Sequence, residues 1–564
     1  MAGRTLAEQY QPIEGLYTHA EYRERTDFRF VHDHKPHHHA ALTATYDRAR
    51  PHFAHRHWCI QDVYDTRYVH RMLRLAAAYG MNGIQFSGDN IYWVNDALYR
   101  YNVFPFVGEL CERCHDHGLK AYFWTHEING FFHEFVAGGR YGTSGQLIGG
   151  TMDLSSASGY WQALRDKYDV FLRRLPGVDG LVLTLNECQV PVFRDERVRS
   201  DLSAAERVTR ITRTILDVCR AHGRHLIVRT FCYEPAEAAR IRRGLEALGE
   251  RVTLMMKCVP HDWNIFLPDD PQIAAFRGWD TIVEHDLALE FMGDGRTPAP
   301  QVDYLKRRFD HAVAQEVRGV SGRLCRFRTH AEHTLNWAHV YAFSRFAQDP
   351  RATADAVWRD YATADYGAAA ADFVVQAGRR LFAIGQETYY LAHEHRNVSN
   401  LHTFPTLANW VWWNCAKWSP EDPAAQALYR QLCAPTPAFI RATVAAKEAA
   451  LVDVARLRTE VEAHAAALRP PDLRYFRTVL PRVAVVAAAH IGQHVVELMV
   501  RHDASRPPAE RQFAAEIAAR IAGLRELIAT QRALLVAGGV EGNQHSDLVL
   551  EVFCRNAERH LAGR

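Results

Sequence analysis

Residues 180–192 have the sequence GLVLTLNECQVPV, and this stretch decides the fold. Residues 180–185 form a short apolar run led by a glycine, which is typical of a strand buried on both faces. The run ends at Asn186 and Glu187, so a carboxylate stands where a buried strand meets the following loop. In an eight-fold βα barrel that edge carries the chemistry. Most glutamates lie on solvated loops, so the interpretation of Glu187 depends on the rest of the chain.

The same unit, a short apolar strand followed by a loop and an amphipathic helix, repeats on both sides of this stretch. Strands are predicted at residues 58–62, 83–86, 120–125, 180–185, 225–230, 252–257, 281–287 and 319–326, and helices at 66–79, 105–117, 160–175, 203–222, 235–248 and 301–316. This alternation predicts a parallel sheet, and eight units predict closure into a barrel. An open doubly wound sheet is the alternative. It would need a glycine-rich phosphate turn after the first strand, and residues 58–65 contain no glycine.

The predicted fold class is therefore α/β, a (β/α)8 TIM barrel with a C-terminal all-helical domain. The barrel would span residues 58–350, after a histidine-rich lead-in segment at 1–57, and the helical domain would span 351–564. The C-terminal part is rich in Ala, Leu and Arg with helical periodicity. Its apolar faces could form a homodimer contact or simply the core of a helical bundle. The lead-in histidines lack a second ligand cluster at fixed spacing, so no metal site is predicted.

Composition and charge exclude several classes of partner. The 564 residues include 67 basic and 65 acidic side chains, a formal net charge of +2 that gives no overall attraction to nucleic acid or to an anionic membrane. No run approaches the roughly 20 apolar residues that cross a bilayer, and the N-terminus lacks the pattern of a signal peptide. The 11 cysteines are odd in number and lie mostly in apolar or helical stretches. We therefore expect reduced thiols in a cytoplasmic protein, with neither nucleic acid nor a membrane as partner.

Polar and aromatic side chains follow most of the predicted strands. In chain order they are Asp62; Ser87, Asp89, Asn90 and Trp93; His126 and Glu127; Asn186 and Glu187; Arg229; Lys257 and Asp262; and Glu284, His285 and Glu290. The C-terminal ends of barrel strands meet at one mouth, which would hold several carboxylates, two cations and a ring of aromatic side chains. Buried ion pairs could explain any two of these residues. Their convergence at one edge points to chemistry.

Carboxylates that face each other across an aromatic pocket suit cleavage of a glycosidic bond. One carboxylic acid protonates the departing oxygen, while another carboxylate assists attack at the anomeric carbon. Cations in the same pocket suggest an anionic group on the sugar, because arginine can bind a carboxylate through two parallel hydrogen bonds.

Several short motifs resemble, in order and spacing, the α-glucuronidases of glycoside hydrolase family 67. GLVLTLNECQVP resembles the family's fourth-strand motif, which implies that Glu187 is the general acid. IVRTFCY resembles the strand with its substrate-binding arginine, here Arg229. KCVPHDW resembles its Lys-x-x-Pro-x-Asp-aromatic motif, which implies that Lys257 binds the uronic carboxylate and that Asp262 is one of two bases. Glu290 lies at the family's distance from Asp262 and is implied as the other base.

The resemblance covers about residues 58–350, and NWAHVYAFSRFAQDP resembles the family's helix after strand eight. Two segments depart from the family pattern close to the predicted sugar site. Residues 266–268 (FLP) replace its Arg-Glu-Pro, and residues 291–294 (FMGD) replace its Tyr-Thr-Gly-Gln. These departures bear on the substrate more than on the reaction.

We therefore expect an inverting exo-glycosidase that removes a terminal uronic acid, an α-linked glucuronic acid by resemblance, from an oligosaccharide. Glu187 would be the acid, and Asp262 or Glu290 would activate water. The predicted substrate-binding residues are Arg229 and Lys257 for the carboxylate, Trp93, Trp124 and Trp263 for stacking on sugar rings, and Asn186, Glu284 and His285 at the same strand ends. No metal or organic cofactor is expected.

Two alternatives stay open. Asn-Glu at the fourth strand end also resembles the acid/base motif of retaining barrel glycosidases, in which case Glu284 or Glu290 would be the nucleophile. Carboxyl groups are roughly 5–5.5 Å apart in retaining enzymes and 6.5–9.5 Å apart in inverting ones. The second alternative is a non-catalytic carbohydrate-binding protein that kept the barrel and lost the chemistry.

Overall fold

The structure is a computed structural model. It describes residues 35–46, 51–61, 63, 66–87, 104–128, 135–138, 140–141, 147–293, 297–326, 329–395, 415–504, 506–537 and 544–562. Four residues predicted at strand ends lie outside these ranges, namely Asp62, Asp89, Asn90 and Trp93.

Eight parallel strands close into a barrel, which confirms the predicted fold class. They are β1 His55–Ile60, β2 Gly83–Phe86, β3 Lys120–His126, β4 Gly180–Thr184, β5 His225–Arg229, β6 Thr253–Lys257, β7 Thr281–Asp286 and β8 Gly319–Arg323. Each strand pairs with its neighbours in chain order, and β8 closes the barrel on β1. The first strand begins at His55 rather than Trp58, because His55 and Arg56 already pair with the start of β8.

Helices surround the barrel. They are α1 Thr66–Ala78, α2 Phe104–Asp116, α3 Tyr160–Arg174, α4 Ala204–Ala221, α5 Pro235–Glu246, α6 Pro271–Ala275, α7 Val302–Ala314 and α8 Trp337–Gln348. α4 starts with a capping box in which Ser203 and Glu206 each bind the other's backbone N–H group. Sequence analysis missed α6, since a helix of five residues is too short to show a 3.6-residue period.

Short elements connect these units. They are a helix at His39–Ala44, a 3-10 turn at Ala331–His333, and paired two- or three-residue strands at Val136–Ala137, Thr151–Asp153 and Val198–Arg199, at Arg140–Tyr141 and Leu147–Ile148, at Cys325–Arg326 and Thr329–His330, and at Tyr390–Leu391 and Glu394–His395.

The barrel interior is a core of its own, separate from the layer between strands and helices. It contains Cys59, Tyr122, Trp124, Val182, Ile227, Met255 and Ile282. Side chains alternate between the two faces of a strand, so positions two residues further along point to the same interior. At the C-terminal ends these positions are Thr184, Arg229, Lys257 and Glu284. The register places Glu284 between Lys257 and Ser321 of the flanking strands, so Arg323, two residues after Ser321, also faces inward.

The C-terminal part is helical, as predicted. Its helices are α9 Ala354–Tyr366, α10 Ala371–Tyr389, α11 Pro423–Cys433, α12 Pro437–Ala463, α13 Pro470–Asp503, α14 Ala514–Ala537 and α15 Gln544–Leu561, with a short helix at Cys415–Trp418. One hydrophobic core runs from Trp337 of α8 through Trp358 of α9 and Phe373 of α10 to Phe476 of α13. The barrel and the first helices of this domain therefore share a continuous core, and a second core holds the remaining helices.

Buried ion pairs connect the lead-in segment to the helical domain. Lys35 Nζ lies 3.1 Å from a carboxylate oxygen of Asp365 and 2.9 Å from one of Asp472, and all three side chains are buried. His37 Nδ1 lies 2.7 Å from Asp365. These histidines thus take part in packing and ion pairing. Within the described residues, no group of three or more His, Cys, Asp or Glu side chains could hold a metal ion.

One helix, α13, is long and apolar enough to cross a membrane by length and composition alone. The sequence analysis did not single out this stretch. About two thirds of its most apolar part is buried inside the protein. A core helix and a membrane helix share this composition, so composition does not distinguish them.

Gly180, which opens β4, leaves room for its neighbours in the barrel. A Cβ atom there would lie 2.5 Å from the His225 carbonyl oxygen and 2.9 Å from the Tyr122 ring. The backbone oxygen cannot move aside without disturbing the β4–β5 pairing. The glycine is thus required by close packing at the start of the strand.

We predict that Gly180→Ala lowers the free energy of unfolding by about 1–3 kcal/mol, because the added methyl group overpacks the barrel. Gly108→Ala in α2 is the matched control, since its Cβ would meet no atom within 4 Å. That variant should be neutral or up to about 1 kcal/mol more stable, through helix propensity. Urea unfolding of both variants measures the difference, and equal stabilities would contradict the prediction.

Candidate active site

Glu187 is the most open carboxylate at the mouth of the barrel. It lies in the loop after β4 with a φ of 56°, a left-handed conformation that costs a non-glycine residue about 1–3 kcal/mol. Its side chain is 38% exposed. Strained residues held by their surroundings cluster at functional sites. The structure thus presents the predicted acid to solvent at the C-terminal end of a buried strand.

Arg229 connects Glu187 to the barrel interior. Its Nη1 donates to Glu187 Oε2 at 2.9 Å, and its Nε donates to Glu284 Oε2 at 2.8 Å. Its guanidinium carbon lies 4.7 Å from the centre of the Trp124 ring and 4.8 Å from that of Phe231. Burial lowers the pKa of Arg229, but the two carboxylates outweigh this effect and raise it above the usual value. Arg229 is therefore a fixed cation.

A chain of hydrogen bonds inside the barrel fixes the Trp124 ring below this cation. Trp124 Nε1 donates to Gln85 Oε1 at 3.0 Å, and Gln85 Nε2 contacts His57 Nδ1 at 3.1 Å. Burial, followed by the nearby His55, lowers the pKa of His57 well below its usual value, so its ring is neutral and Nδ1 can accept. Sequence analysis missed Gln85 and His57, although both alternate inward on their strands.

Lys257 and Asp262 form a second ion pair, at the end of β6. The Lys257 ammonium lies 3.7 Å from the centre of the Phe231 ring and 3.9 Å from that of Trp263. The Asp262 side chain is 16% exposed, whereas Lys257 is buried. Both predicted clamp cations are therefore already paired with carboxylates, Arg229 with Glu187 and Glu284, and Lys257 with Asp262.

Arg323 on β8 is a third buried cation, which sequence analysis missed. Its Nη2 donates to Glu290 Oε2 at 2.5 Å and to Asp286 Oδ1 at 3.2 Å. Its guanidinium carbon lies 4.2 Å from the centre of the Trp263 ring. Burial, opposed by Arg323, raises the pKa of Asp286. The signal that could have found Arg323 is its inward position on the eighth strand.

Exposure separates the predicted site residues into two levels. Glu187 and Asp262 reach solvent, whereas the Glu290 side chain is 4% exposed and Glu284 is fully buried. Asn186 is also buried. Within the described residues, Glu284 Oε1 and Asn186 Nδ2 have no hydrogen-bond partner. The carboxylates of β7 and its loop therefore lie beneath the mouth rather than at its surface.

Three aromatic or acidic residues predicted at the strand ends have other surroundings. His285 points outward from β7 and stacks on Phe309 of α7, with ring centres 5.0 Å apart. The Trp263 ring is 5% exposed and covered by Lys257 and Arg323, so it binds cations in this structure. Glu127 is buried against α3, where it pairs with Lys167 and accepts from Tyr168 at 2.7 Å. The structure does not bring His285 or Glu127 to the mouth.

The helical domain contacts the loops that carry the site. Lys417 pairs with Glu234 after β5, and Asn264 Nδ2 after β6 donates to the His393 carbonyl oxygen at 2.9 Å. Phe266 stacks on the His393 ring, with centres 4.1 Å apart, and Phe291 meets His395 at 5.1 Å. Phe266 and Phe291 begin the two segments that depart from the family 67 pattern. Both departures therefore lie at the contact between barrel loops and helical domain.

Comparison with known proteins gives the class of fold. No family model and no curated protein matches this chain. Among solved structures, a GH138 enzyme targeting pectin rhamnogalacturonan II matches with a TM-score of 0.55 at 12% identity, over 91% of this chain and 68% of that chain. A family GH115 4-O-methyl-α-glucuronidase with specificity for decorated arabinogalactans gives a TM-score of 0.48 at 12% identity, over 88% of this chain and 60% of that chain.

Both of these structural neighbours are glycoside hydrolases. At 12% identity, the similarity to the GH138 enzyme establishes a shared fold over most of both chains. The resemblance to family 67 is not tested by these structures and stays a prediction.

We predict that His285→Phe leaves hydrolysis unchanged and makes the protein less sensitive to acid. Burial, followed by Arg308, lowers the pKa of His285 to about 3, below its unfolded value of about 6.5. Between these values only the unfolded chain binds the proton, so His285 costs stability as the pH falls through this range. Urea unfolding should show a larger gain for His285→Phe at pH 5 than at pH 7.5.

The matched control for this prediction is His339→Phe. Burial lowers the pKa of His339 to about 4, but its ring also bonds the Leu287 carbonyl oxygen at 2.8 Å. Removing that ring leaves a buried acceptor unpaired, so this variant should lose stability at pH 7.5. Loss of activity in folded His285→Phe would show instead that the ring acts at the site.

Proposed function

We propose that this protein is a glycoside hydrolase, and specifically an inverting exo-glycosidase that removes a terminal uronic acid from an oligosaccharide. An α-linked glucuronic acid is the expected sugar, by the resemblance to family 67. One observation carries the proposal: Glu187 and Asp262, at the ends of β4 and β6, are open carboxylates, and each is paired with a buried cation at the mouth of the barrel. The glycoside hydrolase structure that shares the fold supports the same class of reaction.

In this mechanism Glu187 donates its proton to the glycosidic oxygen as the bond to the anomeric carbon breaks. Asp262 takes a proton from the water that attacks the opposite face of that carbon, which inverts its configuration. Proton exchange with solvent then restores both carboxyl groups. Asp262 is preferred to Glu290 as the base because its side chain is 16% exposed, against 4% for Glu290.

The same difference in exposure argues against the retaining alternative. A nucleophile must reach the anomeric carbon directly, and Glu284 is fully buried and bonded to Arg229. Glu290 is also buried and bonded to Arg323. Either carboxylate would need a rearrangement of its ion pair before it could attack.

A uronate would bind by exchanging places with a carboxylate of the protein. Its carboxylate could take Arg229 from Glu187 and Lys257 from Asp262, and this exchange would release the acid and the base at the moment of binding. A neutral sugar could not repair the ion pairs that it disturbed.

A second candidate, a glycosidase for neutral sugars, is favoured by the pairing itself. Five carboxylates, Glu187, Asp262, Glu284, Asp286 and Glu290, already surround the three cations. In that case Arg229 and Lys257 would serve only to hold the protein's own carboxylates.

The test is hydrolysis of oligosaccharides capped with α-linked glucuronic acid or with neutral glucose, followed by proton NMR of the freshly released sugar. We expect release of the uronic acid as the β-anomer, because a single displacement inverts the configuration. Cleavage of the neutral caps alone would favour the second candidate. Release of the α-anomer would require a nucleophile, and the absence of any cleavage would favour a carbohydrate-binding protein.

We predict that Glu187→Gln lowers kcat/KM about 10²- to 10⁴-fold on an oligosaccharide, because glutamine cannot protonate the departing oxygen. A nitrophenyl uronoside, whose leaving group needs no proton, should lose far less activity. The control is Asp262→Asn, which should slow both substrates, since water needs activation in either case. Equal losses on both substrates for Glu187→Gln would contradict the assignment of the acid.

A further inference from the structure

The two carboxylates that share Arg229 have different surroundings. Glu187 lies at the open mouth, whereas Glu284 is fully buried in the barrel. Glu284 is also fixed by register, with Lys257 and Ser321 opposite it on the flanking strands. Nothing in the proposed mechanism uses Glu284, although it occupies the centre of the charge network.

The position of Arg229 creates a conflict for a general acid. The acid must carry a proton before it can donate one, but a cation within hydrogen-bond distance favours the ionised carboxylate. Arg229 Nη1 lies 2.9 Å from Glu187 Oε2. A second carboxylate on the same guanidinium offsets part of its charge, and negative charge nearby favours the protonated form of Glu187.

We propose that Glu284 is a positioning residue for the general acid. It holds Arg229 in the barrel interior and offsets its charge, so that Glu187 can carry the proton that the reaction needs. The inference rests on the proposed function, in which Glu187 is that acid. It gives Glu284 a role other than the predicted substrate contact or the nucleophile of a retaining enzyme, and this role agrees with its complete burial.

The other titratable groups near these two carboxylates do not supply the same effect. Those acting on Glu187 are His126 after β3, Arg229 and Tyr233 from β5 and its loop, and His261 beside Asp262 after β6. Those acting on Glu284 are Arg229, Arg323, Cys59 and Cys258, with Lys257 as its register partner.

Most of these groups are neutral near pH 7. Burial lowers the pKa of His126 and of His261 to about 4, and burial raises the pKa of Tyr233. Burial also raises the pKa of Cys59 and of Cys258 to about 12. Lys257 and Arg323 are paired with their own carboxylates. Arg229 is therefore the cation bonded to Glu187, and Glu284 is the carboxylate that shares it.

The test is the pH profile of kcat/KM for Glu284→Gln on a uronoside that wild type cleaves. Glutamine keeps an oxygen for the Arg229 Nε group and removes only the charge. We expect the basic limb, which reports the acid, to move about one pH unit or more toward lower pH. At a pH above the limb, activity then falls about tenfold per unit. KM should not rise, because Arg229 keeps its full charge for the uronate.

Three variants separate this effect from a general loss of structure. Glu127→Gln removes another fully buried carboxylate at the same end of the barrel, paired with Lys167 on the helix side, and should leave the limb in place. Glu284→Asp keeps the charge, so its limb should stay near that of wild type even if the rate falls. The double variant Arg229→Met, Glu284→Gln removes the cation with its partner, so its limb should lie at or above that of wild type. Thermal melts show which variants are folded.

An unmoved limb in folded Glu284→Gln overturns the inference and leaves the proposed function standing. If that variant does not fold, the double variant decides, and a limb below that of wild type overturns the inference. A wild-type protein that cleaves no glycoside overturns the proposed function, and the inference with it. A rise in KM without a shift of the limb would return Glu284 to substrate binding.

Discussion

The ion pairs of Arg229 are the interaction on which the rest of the site depends. A buried guanidinium is costly unless carboxylates and hydrogen bonds compensate for its lost hydration. Glu284 supplies that compensation from inside the barrel, and Glu187 supplies it from the mouth. Trp124 and Phe231 provide aromatic rings on which the cation rests. The orientation of Glu187 is therefore set by a side chain on the next strand, and not by its own exposed loop alone.

The same arrangement recurs around the mouth. Lys257 pairs with Asp262, and Arg323 pairs with Asp286 and Glu290, while Trp263 contacts both cations. Pairing lets a barrel interior hold many charges in a small volume, and it leaves only a few carboxylates open to solvent. Such a site can bind a ligand carboxylate only by exchanging partners, so its specificity depends on how tightly each pair is held.

The helical domain is part of this site's construction. Its segment from Tyr389 to His395 packs against Phe266 and Phe291, in the loops after β6 and β7. These loops follow the strands that carry Lys257 and Glu284. The two departures from the family 67 pattern lie at this contact, which gives them a structural role in joining the domain to the loops. A continuous core from α8 to α13 makes the same connection on the outside of the barrel.

The sequence by itself determined the barrel, the helical C-terminal part and the order of the strand-end residues. Local periodicity encodes these features, because a strand buried on both faces and an amphipathic helix each leave a pattern within a few residues. It also placed Glu187, Arg229, Lys257 and Asp262 at one edge. Only the tertiary structure decided which carboxylates are open, which cation each one meets, and that Arg323 belongs to the site while His285 faces the helices. The reason is physical: burial and ion pairing depend on distances between strands that lie far apart in the chain, and no local pattern records those distances.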